Sequence, residues 1–381
     1  MIRTVLYISG TRADYGLMRS VLFRINSHPK MELHIAVTGM HLMPEFGNTL
    51  DEILKDGFIC HRINVTYAQD NQESMAMFIG GFIQEFVVLV GDLKPDFLLL
   101  LGDRGEMLGG AIVGGYLGVP VVHIHGGEVT ATVDEFARHA ITKLSHIHLP
   151  ATKKSAKRII RMGEYPNRVH VVGAPGLDQI REMKLLEPKV IGERYHLDLS
   201  LPVIIVLQHP VTLDGGDSVF QIQQTLKAIH ELHEQSIVIY PNADAGGRAM
   251  ITEIKKYENC PNIHVFPSIT HKDFLSLLRI TSVLVGNSSS GIIEAPSFGI
   301  PTVNIGIRQT GREKGENIIE SGYDKDEIKS AILYALNDKD FKESVTKAKN
   351  PYGDGKSSSR IVNILEKTEI NPDLLQKRMR Y

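Results

Sequence analysis

The stretch Asp96–Glu128, DFLLLLGDRGEMLGGAIVGGYLGVPVVHIHGGE, contains the features that decide the fold. It begins with an apolar run at Phe97–Leu101, continues through a helical segment at Glu106–Leu117, and returns to an apolar run at Val119–Ile124. Strands that are apolar along nearly their whole length are typical of a parallel sheet covered on both faces. The stretch therefore predicts a β-α-β unit with polar residues after the carboxyl end of each strand.

The same alternation extends in both directions along the chain. Further strands are predicted at Thr4–Ser9, Leu33–Thr38 and Val169–Val172, and the pattern restarts at Val203–Leu207 after a charged segment that ends at Pro202. We expect an α/β protein with two Rossmann-like, doubly wound parallel-sheet domains. The predicted bounds are 1–187 for the first domain, 188–365 for the second, and 366–381 for a C-terminal tail that crosses back to the first.

Composition excludes several classes of protein. The 381 residues include 42 Lys+Arg and 44 Asp+Glu, a net charge of −2, so charge gives no indication of nucleic acid or a membrane surface as partner. The two cysteines, Cys60 and Cys260, are too few for a disulfide framework or a cysteine-rich metal centre. We see no signal peptide and no apolar stretch of the ~20 residues that span a bilayer, and we expect a cytoplasmic protein.

Ligands of open α/β sheets bind beyond the carboxyl ends of the strands, so polar residues there are the candidates for function. Ser9–Gly16 (SGTRADYG) follows the first predicted strand. Its glycines and the free N–H groups of a helix start suit an anion, and Arg12 adds a positive fork for phosphate. The loop matches neither a dinucleotide fingerprint nor a P-loop. A plain turn with a surface arginine is the alternative.

Two further motifs in the first half carry acids. In Leu101–Glu106, Asp103 leaves the end of an apolar strand, where it suits a catalytic acid, although capping of the next helix is the alternative. In His123–Glu128 (HIHGGE), followed by Asp134 and Arg138, carboxylates and imidazoles cluster at the mouth of one sheet. A zinc or manganese site and hydrogen-bonded structural histidines are the alternatives there.

In the second half, Val285–Glu294 (VGNSSSGIIE) is the strongest indication of nucleotide binding. A strand, a glycine, three hydroxyls and a helix start present Ser288, Ser289 and backbone N–H groups to a diphosphate. Glu294 can accept hydrogen bonds from ribose hydroxyls. Other polar residues follow neighbouring predicted strands: His209, Asn242 in the loop 241–247, Arg308 and Arg312.

Together these motifs resemble those of the hydrolysing UDP-N-acetylglucosamine 2-epimerases of bacterial sialic- and legionaminic-acid pathways. The resemblance covers nearly the whole chain and rests on GTRADYG, LGDR, HIHGGE, QHP, PNAD and GNSSSGIIEAPSFG. It implies a GT-B fold with an interdomain cleft, no metal or external redox cofactor, a UDP-sugar substrate, and a homodimer or homotetramer.

The resemblance also implies roles for individual residues. Asp103, Glu128 and Asp134 would supply acid–base chemistry, with His209 near the diphosphate. The non-hydrolysing 2-epimerases carry Glu where this sequence has His125, so we assign His125 no catalytic acid role. UDP would be held by Arg12, Arg104, Ile269, Ser288, Ser289, Glu294 and Arg308, and further substrate contacts would come from His41, His125, Arg138, Asn242, Gly291 and Arg312.

The implied reaction turns UDP-N-acetylglucosamine and water into N-acetylmannosamine and UDP. Loss of UDP from C1 acidifies the C2 hydrogen, a carboxylate removes it to give 2-acetamidoglucal, and a second acid protonates C2 from the other face while water adds at C1. The same reaction on UDP-2,4-diacetamido-2,4,6-trideoxyglucose (UDP-N,N'-diacetylbacillosamine) is the nearest rival. A retaining GT-B glycosyltransferase and a UDP-sugar-binding regulator without turnover are two further candidates.

Overall fold

A computed structural model describes residues 2–44, 49–67, 72–129, 134–211, 217–241, 246–378 and 380. The chain divides into two compact units. The first unit comprises Met1–Glu128, Asp134–Glu182 and Tyr352–Tyr381, and the second comprises Val129–Val133 and Met183–Pro351.

The first unit is built on a six-stranded parallel sheet. Its strands are β1 (Arg3–Ser9), β2 (Met31–Val37), β3 (Ile59–Arg62), β4 (Phe97–Leu101), β5 (Val121–Ile124) and β6 (Ile147–Leu149). Their spatial order, β3-β2-β1-β4-β5-β6, is the Rossmann order. Val5 and Tyr7 of β1 lie in one hydrophobic core and Leu6 and Ile8 in another, so both faces of the sheet are covered.

The second unit repeats this topology. Its strands are β7 (Ile204–Leu207), β8 (Ser236–Ile239), β9 (Ile263–Phe266), β10 (Val283–Gly286), β11 (Thr302–Ile305) and β12 (Ile318–Ser321). The spatial order is β12-β11-β10-β7-β8-β9, which is the order of the first sheet. The prediction of two Rossmann-like, doubly wound parallel sheets is therefore confirmed.

Helices flank the sheets of both units. They are α1 (Arg12–Asn26), α2 (Leu50–Lys55), α3 (Gln72–Leu93), α4 (Gly105–Leu117), α5 (Asp134–Leu144), α6 (Lys153–Arg161), α7 (Gly176–Glu182), α8 (Pro188–Tyr195), α9 (Ser218–Leu232), α10 (Gly247–Lys255), α11 (His271–Leu278), α12 (Ser290–Ile293), α13 (Lys325–Asn337), α14 (Lys339–Lys347), α15 (Ser357–Lys367) and α16 (Pro372–Leu375). Short 3-10 turns lie at Gly39–Leu42, Pro166–Arg168 and Ala295–Phe298.

The structure corrects the predicted bounds of the domains. The chain passes to the second unit after Glu182 and returns to the first at Tyr352, well before residue 366. The return includes α15, because its Ile361 and Leu365 are fully buried in the core of the first unit. The predicted bounds place this segment in the second domain, because helix periodicity cannot indicate which core an apolar face joins.

Two strand predictions also need correction. The predicted strand at Val169–Val172 is reduced to a single bridge between Val169 and His148, at the edge beyond β6. The short edge strands β3 and β12 were not predicted. Both strands are only four residues long, end in polar residues and are partly exposed, so they give a weak signal.

Helix α3 differs from the expectation that no apolar stretch is long enough to span a bilayer. In the part of the chain that the structure describes, Glu73–Leu93 is one helix that is long and apolar enough to do so. The core helix of a soluble protein passes the same test of length and composition. In this helix Phe78, Phe82 and Phe86 recur at every fourth position and are buried, which is the periodicity of a helix that packs one face on a sheet.

Candidate active site

The strand order reverses between β1 and β4 in the first unit and between β7 and β10 in the second. In a doubly wound sheet the crevice beyond the carboxyl ends of these two strands is the usual ligand site. The predicted residues follow the carboxyl ends of these strands or of other strands in the same sheets. Arg12, Asp103, Arg104 and Glu128 follow β1, β4 and β5 in the first unit, and His209, Ile269, Ser288, Ser289 and Arg308 follow β7, β9, β10 and β11 in the second.

The loop after β1 is held by Asp14, a buried residue that the sequence analysis did not single out. Asp14 Oδ2 accepts hydrogen bonds from the backbone N–H groups of Gly10 (3.0 Å) and Thr11 (2.7 Å), and Oδ1 accepts one from Ser9 Oγ (2.5 Å). Thr11 caps α1 in return, so the two residues form a capping box. Burial raises the pKa of Asp14, and these donors oppose that shift. The loop is therefore fixed by its own sequence.

Arg12 itself lies at the start of α1, where an anion site was predicted. Its Nε is 3.2 Å from Glu52 Oε1, and about two fifths of each side chain is exposed to solvent. The pair is a surface ion pair that contributes little to stability. Arg12 therefore keeps a solvent-accessible positive charge beside the loop.

A partly buried ion pair lies where the loops after β1 and β4 meet. Arg104 Nε donates to Glu106 Oε1 at 2.6 Å, and its guanidinium also donates to the Tyr67 hydroxyl at 3.2 Å. Glu106 is fully buried, and a Cβ added at Gly10 would lie 1.9 Å from its Oε1. Glycine at position 10 is thus required for this close approach.

His41 joins the same network from the turn after β2. Its Nε2 lies 2.9 Å from Ser9 Oγ, and its Nδ1 lies 2.7 Å from Thr49 Oγ1. Burial lowers the pKa of His41 to about 4, so the ring is neutral at pH 7. His41 therefore holds the loop after β1 in place, and a substrate contact by this residue stays a prediction.

Arg138 of α5 joins the two strand ends that carry the predicted acids. Its guanidinium forms an ion pair with Asp103, which follows β4, and donates to the backbone oxygen of Glu128 at 3.1 Å. The Arg138 side chain is almost completely buried. A buried guanidinium bonded to both loops fixes the carboxyl group of Asp103 relative to the backbone of Glu128.

His125 and Glu128 form a second pair in the loop after β5. His125 Nδ1 lies 2.8 Å from Glu128 Oε1, and both side chains are buried or nearly so. His125 has a φ of +61°, in the left-handed region that residues other than glycine rarely occupy. Backbone strain of this kind clusters at functional sites because the surrounding structure must enforce it.

His123 is structural, which is one of the interpretations that the sequence left open. Its Nε2 donates to the backbone oxygen of Gly102 at 2.7 Å, and its Nδ1 lies 3.1 Å from Thr142 Oγ1. Burial lowers its pKa to about 3, which keeps the ring neutral. His123 thereby connects α5 to the residue that precedes Asp103.

Some predictions fall on residues that the structure does not describe. The backbone of Asp134 begins α5, but its side chain is outside the description, and so is Asn242. Arg312 is half-buried in the loop after β11. Within the described ranges, no group of three or more His, Cys, Asp or Glu side chains is arranged to hold a metal ion.

The corresponding crevice of the second unit is organised by Asn287, another residue that was not singled out. Its Oδ1 accepts from the backbone N–H of His209 at 2.7 Å, and its Nδ2 donates to the His209 oxygen at 2.9 Å. Gln309 Nε2 donates to the Asn287 oxygen at 2.8 Å. The fully buried amide of Asn287 thus ties the end of β7 to the end of β10, and the amide of Gln309 ties the end of β10 to the loop after β11.

The serine turn lies directly after Asn287. Gly286 has a φ of +130°, and a Cβ there would lie 2.2 Å from the Leu207 oxygen, so only glycine fits between the two strands. Ser288 and Ser289 are half-buried before α12, whereas Glu294 is buried at its end. Gly291 packs against Thr302 of β11, and a substrate contact by this residue stays a prediction.

The sequence of the chain is similar to those of known proteins. The family profile of UDP-N-acetylglucosamine 2-epimerase matches residues 24–366. A protein of Legionella pneumophila named UDP-N,N'-diacetylbacillosamine 2-epimerase (hydrolyzing) is 42% identical over 378 residues, which are 99% of this chain and 99% of that protein. The UDP-N-acetylglucosamine 2-epimerase of Neisseria meningitidis serogroup B is 38% identical over 340 residues, 88% of each chain.

The fold is also found in a solved structure. The crystal structure of UDP-GlcNAc 2-epimerase from Neisseria meningitidis bound to UDP-GlcNAc superposes with a TM-score of 0.83 at 20% identity, covering 96% of this chain and 100% of that one. At this identity the likeness shows the fold alone. It agrees with the prediction of a GT-B-like protein built from two Rossmann-like domains.

Proposed function

Since this chain belongs to the UDP-N-acetylglucosamine 2-epimerase family, we propose that it converts a UDP-linked 2-acetamido sugar and water into UDP and the free 2-epimeric sugar. The observation that carries the proposal is the contact of Arg138 with both Asp103 and the Glu128 backbone. Inversion at C2 needs one group that removes a proton and another that returns it on the opposite face. Carboxyl groups held on two strand ends meet that need.

The proposed reaction has two stages. First the C1–O bond breaks, UDP leaves with the bonding electrons, and a carboxylate takes the proton from C2, which leaves a 2-acetamidoglucal. Then a protonated carboxyl group returns a proton to C2 from the other face while the oxygen of water bonds to C1 and loses a proton. We assign this acid–base work to Asp103, Glu128 and Asp134 as a group.

The second unit would bind the leaving group. Ser288, Ser289 and the backbone N–H groups at the start of α12 are suited to a diphosphate, whose charge grows as the C1–O bond breaks. Arg308 adds a cation at the end of β11. Glu294 suits the ribose hydroxyls and Ile269 the uracil, as the resemblance to the family implies, and His209 would lie near the diphosphate.

Two UDP-sugars are candidates for the substrate. UDP-N-acetylglucosamine is what the motifs of the chain imply. UDP-N,N'-diacetylbacillosamine is favoured by the Legionella relative, which is similar over essentially its whole length and at higher identity than the Neisseria protein. The two sugars differ at C4 and C6, so assays of each with the same enzyme preparation, compared by kcat/KM, identify the substrate.

NMR of the products formed in heavy water tests the reaction. We expect UDP and a free manno-configured sugar with deuterium at C2, because the proton removed in the first stage is replaced from solvent. A UDP-linked product would indicate the non-hydrolysing reaction. UDP binding with no product from either sugar would leave a binding protein without turnover.

A substitution of Asp134 tests the assignment of the acids. We expect Asp134→Asn to abolish turnover and to leave UDP affinity unchanged, since a carboxamide cannot act as a general base or a general acid near neutral pH. Asp92→Asn, on the exposed side of α3, is the matched control and should behave as wild type. Near-normal sugar release by the Asp134 variant would remove this residue from the mechanism.

We also propose that the protein acts in the cytoplasm as a homodimer or homotetramer. Support comes from large apolar side chains that are exposed on helices of the first unit, including Met77 of α3, Tyr116 of α4 and Phe136 of α5. Such side chains are commonly covered in assemblies. Light scattering coupled to size-exclusion chromatography measures the mass, and a value near 42.4 kDa would contradict the proposal.

A further inference from the structure

The C-terminal strap, residues 371–378, lies on the first unit and contacts it at two points. Arg168 donates to the backbone oxygens of Asp373 and Leu374. Three residues further on, the Lys377 ammonium donates to the backbone oxygens of Thr142 and Ser145 and forms an ion pair with Glu164 at 2.9 Å. The strap is therefore fastened by specific polar contacts.

The site that receives Lys377 is buried. Lys377 has 17% of its side chain exposed and Glu164 has 3%. Glu164 also bonds Lys143 at 2.5 Å and His148 at 3.0 Å. Burial alone would raise the pKa of Glu164, but these donors and Lys377 lower it to about 2. The carboxylate is thus a fixed anion, and removal of a partner from such a cluster has a large cost.

The two backbone oxygens that Lys377 binds lie at the C-terminal end of α5. The last carbonyl groups of a helix have no partner within the helix, and a cation there offsets both this lack and the helix dipole. Helix α5 is the helix that presents Asp134 and Arg138. The strap thus caps the far end of the helix that presents groups of the proposed reaction.

Contacts continue from this end of α5 to Asp103. Thr142, whose oxygen accepts from Lys377, also bonds His123 through its hydroxyl, and His123 donates to the backbone oxygen of Gly102. One turn earlier on the same helix, Arg138 forms the ion pair with Asp103. A shift of α5 along its axis would move both contacts.

We propose that Lys377 is a positioning residue: the strap caps α5 and so sets the position of Arg138 and Asp134 relative to Asp103 and Glu128. This inference rests on the proposed function, because it assigns a task to the helix that presents those groups. A misplacement of about 1 Å costs up to about 100-fold in rate. The strap therefore affects kcat while lying outside the substrate site.

Three variants test the inference. Lys377→Met removes the ammonium and keeps the length of the side chain, Lys377→Arg restores a cation with several donors, and Arg378→Met is the matched control. Arg378 is exposed and bonds Gln376 within the strap. We expect Lys377→Met to lower kcat by about 10- to 100-fold with UDP affinity unchanged. Lys377→Arg should recover most of the loss, and Arg378→Met should match wild type.

Hydrogen–deuterium exchange supplies a readout that does not depend on turnover. We expect Lys377→Met to raise exchange in residues 134–144 and to leave α9 of the second unit unchanged. Unchanged exchange in α5 overturns the inference, and so does raised exchange with normal kcat, which would make the strap a purely structural support. If wild type releases UDP from neither sugar, the proposed function fails, while exchange still decides whether the strap holds α5.

Discussion

The two units share one strand order, yet the crevices at the reversal of that order are built from different chemistry. In the first unit the loops after β1 and β4 are held by ionisable groups, namely Asp14, Glu106 and Arg104. In the second unit the equivalent loops, after β7 and β10, are held by the amide of Asn287. The same topology thus supports a network of ionisable side chains in one unit and a network centred on a side-chain amide in the other.

The difference matches the two tasks in the proposed reaction. Proton transfer needs carboxyl groups in defined protonation states, which surrounding charges and burial can set. Binding of a diphosphate needs donors without a competing anion nearby, and amides and backbone N–H groups supply these. The Asn287 amide has the further property that it does not titrate in the range where carboxyl groups and imidazoles do.

The largest effect that tests this comparison is expected from Asp103. We expect Asp103→Asn to lower kcat by about 1,000-fold or more, since the loss of a general acid or base costs about 100- to 10,000-fold. UDP affinity should be retained, because Asp103 is assigned to proton transfer and not to binding of the leaving group. Steady-state kinetics and calorimetric UDP titration measure the two quantities.

Asp96 provides a control at the opposite end of the same strand. It accepts a hydrogen bond from the backbone N–H of Thr4 at 2.8 Å, at the amino end of β4. Asp96→Asn should reduce stability and leave kcat unchanged. Equal losses of kcat in both variants would mean that removing a carboxylate at either end of β4 impairs the enzyme. Asp103 would then no longer be assigned to proton transfer.

Lowering the pH should destabilise the first unit more than the second. Burial lowers the pKa of several histidine rings of the first unit, and the largest shifts include those to about 4 for His41, about 3 for His123 and about 4 for His146. The unfolded chain binds these protons near pH 6.5 and the folded chain does not, so stability falls as pH drops below about 6.5. The loss is about 1.4 kcal/mol per pH unit for each ring, or at most about 4 kcal/mol per pH unit for the three together.

The two cysteines of the chain can be used to test this prediction. Cys60 lies in the first unit and Cys260 in the second, and both thiols are half-buried. In the second unit His264 has a lowered pKa, but its ring is only half-buried. The two thiols can be labelled over a range of urea concentrations at about pH 7.5 and about pH 5.5, with a thiol reagent that is active in acid. We expect the urea concentration at which Cys60 becomes reactive to be lower at about pH 5.5 than at about pH 7.5. Parallel shifts at both thiols would contradict the comparison.

The sequence predicted the fold well because apolar runs and the polar residues after them are local features. The central strands and the edge of each sheet where chemistry collects could be predicted in this way. Asp14, Glu106 and Asn287 were missed, although each stands inside a quoted motif. Their importance comes from partners on other strand ends, such as the Asn287 contact with His209 across 78 positions of the chain.

The capping-box spacing of Thr11 and Asp14 was the one local signal that could have identified Asp14. Contacts such as that of Lys377 with α5 have no local signature. They join segments separated by 232 and 235 positions, and only the folded chain brings them together. The same limit explains why α15 was assigned to the wrong domain.

Asn287→Asp would make the second crevice resemble the first. The new carboxylate cannot donate to the His209 oxygen, and it adds negative charge beside the serine turn. We expect UDP affinity to fall about 30-fold, or about 2 kcal/mol. Asn337→Asp, an exposed position at the end of α13 in the same unit, makes the same change of charge and should leave affinity unaltered. Equal losses in both would indicate a long-range charge effect in place of a broken network.

The smallest effect on stability is expected at Arg12, the exposed cation of the first crevice. Breaking its ion pair with Glu52 should change the free energy of unfolding by about 0.5 kcal/mol or less, because both side chains are well solvated. If Arg12 binds phosphate, Arg12→Gln should still weaken UDP binding about tenfold, the value of one charge-assisted hydrogen bond. Glu52→Gln breaks the same pair from the other side and leaves the cation in place, so it should keep full affinity. Equal weakening by the two variants would show that the pair only shapes the loop, and that the anion is bound by the second unit alone.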